Sequence, residues 1–419
     1  MKGRSVIIYM LVGFLGFMMF PSIVWGRTTL RLSFWFHAED LPYWQKGIDR
    51  FKASHPEVDI QIESTPFGDY WQKLQTQVAA GTVPDIIGMV SMYAPQYIKQ
   101  GVLMNLSPYI KQENFDIKDF WPQIMRSYKD KKGNIYAFPY DLSTMAILGN
   151  VDMFSQVGFK FPPSKWTWDD FLNAAKKLTK KDSSGKIIQW GIGWFPYEWV
   201  LDYILLPNGA SMFNKEVTKC LLDTPAAIES LQKWADLYLK YGVAISPTDA
   251  SGNVPFFESG KIAMVGANPE WVMVRRIRMP NIKLDVAPFP YTRNPLIGAL
   301  HGGSFSISAT TKYPQLAWEF LKEFTSASTL KESVAMAFRG IPGRQSLVGD
   351  FLESPNGVPN AKLFLDLIKV SRVYPLTNYD QTMTVLKNNL DKIYLGKALA
   401  SQVCPEMAKE IDKLLEPLP

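Results

Sequence analysis

Hydrophobic positions after the first 26 residues alternate between the period of a strand and the period of a helix. Apolar side chains occupy every second position from Leu30 to Phe36, as in a half-buried strand. Pro42 then opens a helical spacing that ends at Pro56. A second alternation, a second helical spacing and a continuous apolar run over 84–90 follow. This βαβαβ order predicts an α/β fold with parallel strands.

Later helices are predicted from their start signals. Thr167 can cap the backbone N–H of Asp170 ahead of a helical apolar pattern, and Thr224 precedes a proline at the first helical position. A further helix is predicted to begin at Pro314, after the strand-like segment 305–307. The α/β alternation therefore extends far beyond the first five elements.

The first 26 residues have the pattern of a secretory signal peptide. Lys2 and Arg4 precede an apolar run of 15 residues, and small or modest residues at 24–26 suit a signal peptidase. The run is shorter than the ~20 residues that span a bilayer as a helix. No cysteine follows it, so we expect no lipid anchor. The sequence predicts cleavage after Gly26 and a periplasmic protein without a membrane span.

Composition limits the class of protein. Cleavage would leave 393 of the 419 residues, and at ~100 to 200 residues per domain this length predicts two lobes. The formal charge falls to +4 without a run of five like charges, which argues against nucleic-acid binding. Cys220 and Cys404 could form a disulfide if their backbones come close enough. The three His and two Cys are scattered singly, so we expect no metal site and no cofactor.

Short segments spread over nearly the whole chain identify a family by their order. They are FKASHPEV (51–58), AAGTVPDII (79–87), QGVLMNL (100–106), IYAFPY (135–140), GNVDMF (149–154), TWDDF (167–171), ESGKIAM (258–264), GGSFSI (302–307), AWEFL (317–321) and IPGR (341–344). In this order they resemble the signatures of bacterial extracellular solute-binding proteins of the maltose-binding and multi-sugar-binding kind, which feed ABC importers. Each motif is weak alone, and their common order carries the resemblance.

The resemblance implies the type II periplasmic-binding-protein fold, with two α/β lobes joined by a hinge that the chain crosses three times. The crossings are expected near Tyr140, at 287–290 and at 325–328. The amino-terminal lobe would then comprise 27–140 and 288–325, and the carboxy-terminal lobe 141–287 and 326–419. The residues themselves favour the first two crossings, because a new α/β stretch starts after Tyr140 and two prolines interrupt the chain after the strand-like run 282–286.

Candidate binding residues in the first lobe follow the predicted strands. Ligands of open parallel sheets lie outside the carboxyl ends of the strands. The first strand delivers Trp35, His37 and Glu39 there, and the run at 84–90 delivers Ser91 and Tyr93. These positions coincide with contacts that the resemblance implies. The alternatives are a hydrogen-bonded loop residue for His37 and core packing for Tyr93.

In the second lobe, the resemblance implies contacts at Asp141 and Ser143, just after the first crossing, and at Asn268, Glu270 and Trp271. A sugar ring presents an apolar face and a rim of hydroxyls, so its site needs an aromatic platform with side chains that donate and accept hydrogen bonds. The segment 268–271 supplies both within four residues. Trp271 is therefore the predicted stacking platform.

The remaining candidates have one argument each. Trp194 and Trp199 offer further platforms, although one of them could be core. Gly302 and Gly303 would allow close approach of the backbone, and Arg344 could make a bidentate contact or, alternatively, a salt bridge between the lobes. Further candidates lie at Tyr379 and Met383, where the resemblance implies an aromatic contact from the carboxy-terminal helices; methionine at 383 departs from that pattern.

Several functions remain open at this stage. The resemblance implies a monomer that encloses a sugar or oligosaccharide between its lobes and presents the closed form to the membrane subunits of an ABC importer. A glycerophosphodiester would need clustered Arg and Lys, a polyamine clustered Asp and Glu, and an iron complex tandem Tyr. The nominated loops contain mainly Trp, Tyr, Asn and Ser, which favours a neutral sugar.

A secreted carbohydrate-active enzyme is the alternative from another class. It would need two carboxylates roughly 5 to 10 Å apart, one of them with a raised pKa. Asp141 and Glu270 could face each other across a cleft, but no hydrolase or lyase signature surrounds them. The sequence therefore predicts a binding protein and not an enzyme.

Overall fold

The computed structural model describes residues 27–35, 41–193, 197–246, 257–294 and 296–416, with the side chains of 197–200 excepted. The predicted signal peptide lies outside these residues and stays a prediction. None of the helices in the described ranges combines the length and the apolar character that crossing a bilayer requires.

The first lobe is built on a five-stranded sheet with the order β2-β1-β3-β12-β4. Its strands are β1 (Thr28–Phe34), β2 (Val58–Ser64), β3 (Ile86–Val90), β4 (Ala137–Pro139) and β12 (Gly303–Ile307). β1 runs parallel to β2 and β3, whereas β12 is antiparallel to β3 and β4. β3 and β12 are buried along their whole length, which explains the continuous apolar run that predicted β3.

A second five-stranded sheet with the order β10-β6-β9-β8-β7 forms the second lobe. Its strands are β6 (Ala146–Asn150), β7 (Lys180–Lys181), β8 (Ile187–Ile192), β9 (Ile262–Ala267) and β10 (Leu284–Ala287). Two short ladders lie outside the two five-stranded sheets. β5 (Asp141–Leu142) pairs with β13 (Ile341–Pro342), and β11 (Gly298–Ala299) pairs with β14 (Ser371–Arg372).

Helices cover both sheets. They are α1 (Leu41–Ser54), α2 (Phe67–Ala79), α3 (Ala94–Lys99), α4 (Ser107–Gln112), α5 (Pro122–Met125), α6 (Val151–Gln156), α7 (Trp168–Leu178), α8 (Tyr197–Leu205), α9 (Pro225–Leu239), α10 (Pro269–Arg278), α11 (Pro314–Phe324), α12 (Ala327–Leu330), α13 (Val348–Leu352), α14 (Lys362–Ile368), α15 (Tyr379–Tyr394) and α16 (Ala400–Asp412). Short 3₁₀ segments occupy Arg126–Tyr128, Leu206–Asn208 and Gln345–Leu347, and a π-helical turn occupies Lys331–Ala335.

Three helix starts agree with the sequence signals. Thr167 and Asp170 form the predicted capping box at the start of α7. α9 begins at the proline after Thr224 and α11 begins at Pro314, as predicted. The Thr224 hydroxyl, however, does not cap α9, because it donates to the Leu221 carbonyl at 2.8 Å. α9 therefore begins at a proline without a side-chain cap.

The lobe boundaries stay a prediction. Contacts of the described residues favour placing two of the boundaries later in the sequence than expected. Before β12 enters the first sheet, the segment 291–300 hydrogen-bonds to the backbones of Trp166, Pro207 and Arg372 in the second lobe. After α11, the chain still packs on α1 of the first lobe, where Arg50 donates to Thr329 and pairs with Glu332 at 2.9 Å. The crossings near 288 and 325 would accordingly move toward residues 301 and 340.

Candidate functional site

The carboxyl end of β1 is closed by an aromatic cluster on the first lobe. Trp35 follows β1 directly and its side chain is only 5% exposed. Its ring makes edge contacts with Phe67 and Tyr70, at centroid distances of 5.1 and 4.9 Å, and packs 5.7 Å from Trp71. Trp35 therefore packs within the wall of the site and offers little ring surface for stacking on a solute.

Tyr93, beyond the carboxyl end of β3, is held between aromatic rings from both lobes. It stacks on Trp71 with ring centroids 3.7 Å apart and planes 5° apart, and Tyr379 of α15 lies 4.4 Å away on a tilted plane. The Tyr379 hydroxyl donates to the sulfur of Met92 at 3.3 Å. Burial raises the pKa of Tyr93, and nearby Tyr379 and Asp380 raise it further. The structure thus joins two predicted contacts, Tyr93 and Tyr379, directly across the lobes.

Asp380, which no sequence signal pointed to, extends this contact between the lobes. Its carboxylate accepts hydrogen bonds from Gln96 at 2.8 Å and from Gln75, so the start of α15 is bound to α2 and α3. Lys99 and Glu416 form a further ion pair between the lobes. Asp380 and Gln96 are 284 residues apart, and no local pattern signals such a pair.

Three predicted polar residues, Ser91, Asp141 and Ser143, bond to the backbone of 301–303. The Ser91 hydroxyl accepts from the Gly302 N–H at 3.1 Å, while the Ser91 N–H donates to the Gly302 carbonyl at 2.8 Å. The Asp141 carboxylate accepts from the Gly303 N–H at 2.7 Å. Ser143 exchanges two backbone hydrogen bonds with His301. These residues fix the crossing strands, and their contact with a solute stays a prediction.

Glu270 forms an ion pair with a buried arginine that the sequence analysis did not nominate. Arg339 Nη1 lies 2.6 Å from Glu270 Oε1, and the two side chains are 1% and 16% exposed. The Arg339 guanidinium also lies 5.3 Å from the centroid of Phe34 in β1 and 5.5 Å from that of Tyr140. Arg339 therefore links the first sheet, the first crossing and α10 of the second lobe.

Trp271 keeps exposed surface, unlike the buried Trp35, Tyr93 and Tyr379. It stands in the first turn of α10, which the Asn268 side chain caps by accepting from the Trp271 N–H at 2.9 Å. The Arg275 guanidinium lies 6.0 Å from the Trp271 ring centroid. Asn268, Glu270 and Trp271 thus lie together at one helix start, where Asn268 and Glu270 are engaged by protein partners, and their contact with a solute stays a prediction.

Arg344 is packed into the first lobe. Its Nε donates to the Thr325 carbonyl at 2.8 Å, Nη1 lies 3.5 Å from Asp119, and the guanidinium lies 4.4 Å from the Phe120 ring centroid. Burial lowers the pKa of Arg344, which Asp119 partly offsets. Arg344 therefore forms a salt bridge within the packing of the first lobe, and its contact with a solute stays a prediction.

The other predicted residues fall into two groups. His37, Glu39 and Trp194 lie outside the described residues, and of Trp199 only the helical backbone within α8 is described. Gly303 is buried, and a Cβ at this position would lie 2.0 Å from the Tyr140 hydroxyl, so the space beside its Cα is filled by protein.

The cysteines and possible metal ligands add no site. Cys220 and Cys404 are buried free thiols, and burial raises the pKa of each to about 12. Among the described residues, no group of three His, Cys, Asp or Glu side chains could hold a metal ion.

Comparison with known proteins gives one family and one fold. The model of the family described as bacterial extracellular solute-binding protein matches residues 37–330. A putative binding protein of Brucella abortus is 25% identical over 91% of this chain and 92% of its own length. A maltotriose-binding protein of Pyrococcus abyssi is 24% identical over 74% of this chain and 65% of its own. An ABC substrate-binding protein of Listeria monocytogenes, solved in complex with cycloalternan, superposes with a TM-score of 0.82 over 92% of this chain and 98% of its own at 21% identity.

Proposed function

Because the chain belongs to the family of bacterial extracellular solute-binding proteins, we propose that it captures a sugar or oligosaccharide between its two lobes and delivers it to an ABC importer. The names of relatives support a carbohydrate, since one binds maltotriose and a structural neighbour holds cycloalternan. We also propose that residues 1–26 direct export and are removed, and that the mature protein acts as a monomer.

The observation that carries the sugar proposal is the partly exposed Trp271 beside two polar side chains. A flat ring with hydrogen-bonding neighbours matches the apolar face and hydroxyl rim of a sugar. An anionic solute would instead need available cationic side chains. Arg339 and Arg344 already pair with Glu270 and Asp119.

Binding without catalysis is the second part of the proposal. A glycosidase needs one protonated and one ionised carboxyl group beside the scissile bond. Of the two candidate carboxylates, Asp141 accepts from the Gly303 N–H and Glu270 pairs with Arg339. Both serve the packing between the lobes, which supports a binding role.

Closure of the lobes is the central test of this function. A solute that contacts both lobes shifts the equilibrium toward the closed form by its difference in affinity for the two forms. We expect the radius of gyration from small-angle scattering to decrease when a binding sugar is added. The sugar is first identified by isothermal titration against a panel of mono- and oligosaccharides, glycerol 3-phosphate and polyamines. Unchanged dimensions at saturation would exclude closure as the signal, and binding of glycerol 3-phosphate alone would exclude the sugar.

The Trp271→Ala variant tests the stacking platform. Loss of the ring is expected to weaken sugar binding by about 2 kcal/mol or more, as for buried aromatic hot spots. The unfolding temperature without ligand should change little, whereas the ligand-induced rise that the wild type shows should be largely lost. Thermal unfolding with and without sugar measures the unfolding temperature of the unliganded variant and its ligand-induced rise.

Trp318→Ala is the matched control for this experiment. Trp318 is 0% exposed in the core of the first lobe. Its truncation should cost about 3–5 kcal/mol of stability and still leave the ligand-induced rise intact. A full wild-type rise in Trp271→Ala would remove this residue from the site and direct attention to Trp194 and Trp199.

A further inference from the structure

A small cavity lies where α15 of the second lobe meets Met92 of the first. Its volume is about 30 Å³, enough for roughly one water molecule or hydroxyl group. The wall includes Met92, Asp202, His301, Arg372, Tyr379 and Met383. Because Tyr379 donates to the sulfur of Met92, this wall is complete only when the two lobes are in contact.

Asp202 presents an unsatisfied acceptor on the cavity wall. It lies on α8, is 5% exposed, and its carboxylate accepts one hydrogen bond from the Met212 backbone. Oδ1 is buried and finds no hydrogen-bond partner in the described part of the chain. An unsatisfied buried acceptor weakens the fold by about 1–3 kcal/mol. Such a cost is typical of residues that serve binding, because the missing partner arrives with the ligand.

His301 offers a second set of unsatisfied polar atoms. Both ring nitrogens are buried and have no partner among the described residues, while the residue as a whole keeps some exposed surface. Its backbone is fixed by hydrogen bonds with Ser143. Burial lowers the pKa of His301 to about 4, so the ring is neutral at physiological pH. One nitrogen then donates and the other accepts.

Charge on the cavity wall depends on the protonation of Asp202. The Asp202 carboxylate faces the Arg372 guanidinium, whose attraction partly opposes the effect of burial on the carboxyl group. Arg372 and Tyr374 both contact the Ser211 hydroxyl, at 3.3 and 2.6 Å. When Asp202 is ionised, above its pKa of about 7, its charge offsets that of Arg372, and the cavity then offers acceptors and a donor without net charge. A hydroxyl group suits this wall better than a phosphate, which brings two negative charges, or an ammonium, which can only donate.

We propose that this cavity is a subsite for one hydroxyl group of a neutral sugar, with Asp202 Oδ1 accepting its hydrogen and the ring N–H of His301 donating to its oxygen. The inference rests on the proposed function and deepens it by assigning a residue pair that selects neutral, hydroxyl-bearing rings over phosphorylated or cationic solutes. A sugar bound here also needs the contact between Tyr379 and Met92, so this subsite couples recognition to closure.

Asp202→Asn is the informative variant. The Met212 N–H needs a carbonyl oxygen, so the new amide should direct its NH₂ group toward the position of Oδ1 and replace an acceptor by a donor. His301→Phe removes both nitrogens and keeps a ring. Asp285→Asn is the matched control, because Asp285 is also a buried acid of the second lobe with a raised pKa, but it bonds to Asn360 and Val286 away from the cavity.

Isothermal titration with maltotriose, mannotriose and diacetylchitobiose measures the effect, with glycerol 3-phosphate as the charged comparison. For the sugar that binds the wild type, we expect Asp202→Asn and His301→Phe to raise Kd at least about tenfold and Asp285→Asn to leave it unchanged. Wild-type affinity in both cavity variants overturns the subsite and leaves the proposed function standing. If glycerol 3-phosphate binds the wild type and no neutral sugar does, the proposed function itself fails.

The free energy of unfolding as a function of pH, measured without ligand, tests whether Asp202→Asn folds and whether Asp202 is buried in the wild type. Burial raises the pKa of Asp202 from 3.8 to about 7, with Arg372, Tyr374, Tyr203 and His301 as the ionisable groups around it. A raised acid pKa gives stability that is present at low pH and lost as pH rises through about 7. The wild type should therefore lose this contribution progressively as pH rises from about 4 to about 7, and Asp202→Asn should not. Equal pH profiles would contradict the burial on which the subsite depends.

Discussion

The Arg339→Met variant is expected to lose about 3–5 kcal/mol of unfolding free energy, because it removes one partner of a buried ion pair and leaves the other behind. Arg339 is 1% exposed and its Nη1 lies 2.6 Å from Glu270, itself 16% exposed. Methionine fills most of the arginine stem but cannot neutralise the carboxylate, and contact of the cation with the Phe34 and Tyr140 rings is lost as well.

Urea unfolding followed by fluorescence and circular dichroism measures this loss, since a two-lobed chain need not unfold in one step. The double variant Arg339→Met/Glu270→Met should recover much of it, because apolar replacement of a whole buried pair is often neutral. The double-mutant cycle gives the interaction energy directly. An exposed pair serves as control: Lys362→Met breaks the contact with Asp366, where the lysine is 68% exposed, and should cost less than about 1 kcal/mol.

Arg339→Met should also weaken closure. Glu270 lies in the same helix turn as Trp271, whereas Phe34 and Tyr140 belong to the first sheet and the first crossing. The arginine therefore holds the predicted platform at a fixed position relative to the first lobe. Wild-type stability together with wild-type sugar affinity in Arg339→Met would show that neither the fold nor the site depends on this link.

Local sequence signals predicted the elements well because their causes are local. The capping box at Thr167, the proline starts of α9 and α11 and the buried run of β3 each depend on residues within one turn or strand. The ordered family motifs added the two-lobed arrangement. Fold and family were thus accessible from the sequence.

The candidate site was harder to predict because its contacts join distant residues. Asp380 reaches Gln96 and Arg339 reaches Glu270 only after the lobes come together. The sequence also does not reveal how much of an aromatic ring is covered: Trp35 and Tyr93 occupy predicted positions, yet neighbouring rings bury them to 5% and 9% exposure. Position along a strand was predictable, whereas the available surface was not.

Glycines show the same limit. Gly303 was nominated because glycine lets a backbone approach a solute, which is a property of the residue type. In the structure, a Cβ atom added to Gly303 would point at Tyr140. The Tyr140 ring packs against Phe34, Trp44 and Phe305 at centroid distances of 5.4, 5.5 and 5.0 Å. The requirement for glycine here can therefore arise from core packing alone.

The Gly303→Ala variant is expected to lose about 3 kcal/mol of stability or more, at the upper end of the range for overpacked cores. The added Cβ would lie 2.0 Å from the Tyr140 hydroxyl oxygen and 2.1 Å from the ring carbon that bears it. Tyr140 is 2% exposed and cannot turn away without displacing its neighbours, while Gly303 is held in β12 by its N–H bond to Asp141. Thermal and urea unfolding of the variant measure the cost.

Gly349→Ala separates this clash from a general effect of replacing glycine. Gly349 lies in α13, and its added Cβ would meet no described atom within 4 Å. Alanine should stabilise a helical position of this kind by roughly 0.5–1 kcal/mol. Opposite signs in the two variants would assign the cost to Tyr140 and place Gly303 in the packing that joins β12 to the first crossing. If Gly303→Ala is instead as stable as the wild type and only sugar affinity falls, Tyr140 can move, and the open approach to this glycine that the sequence predicted becomes the better account of it.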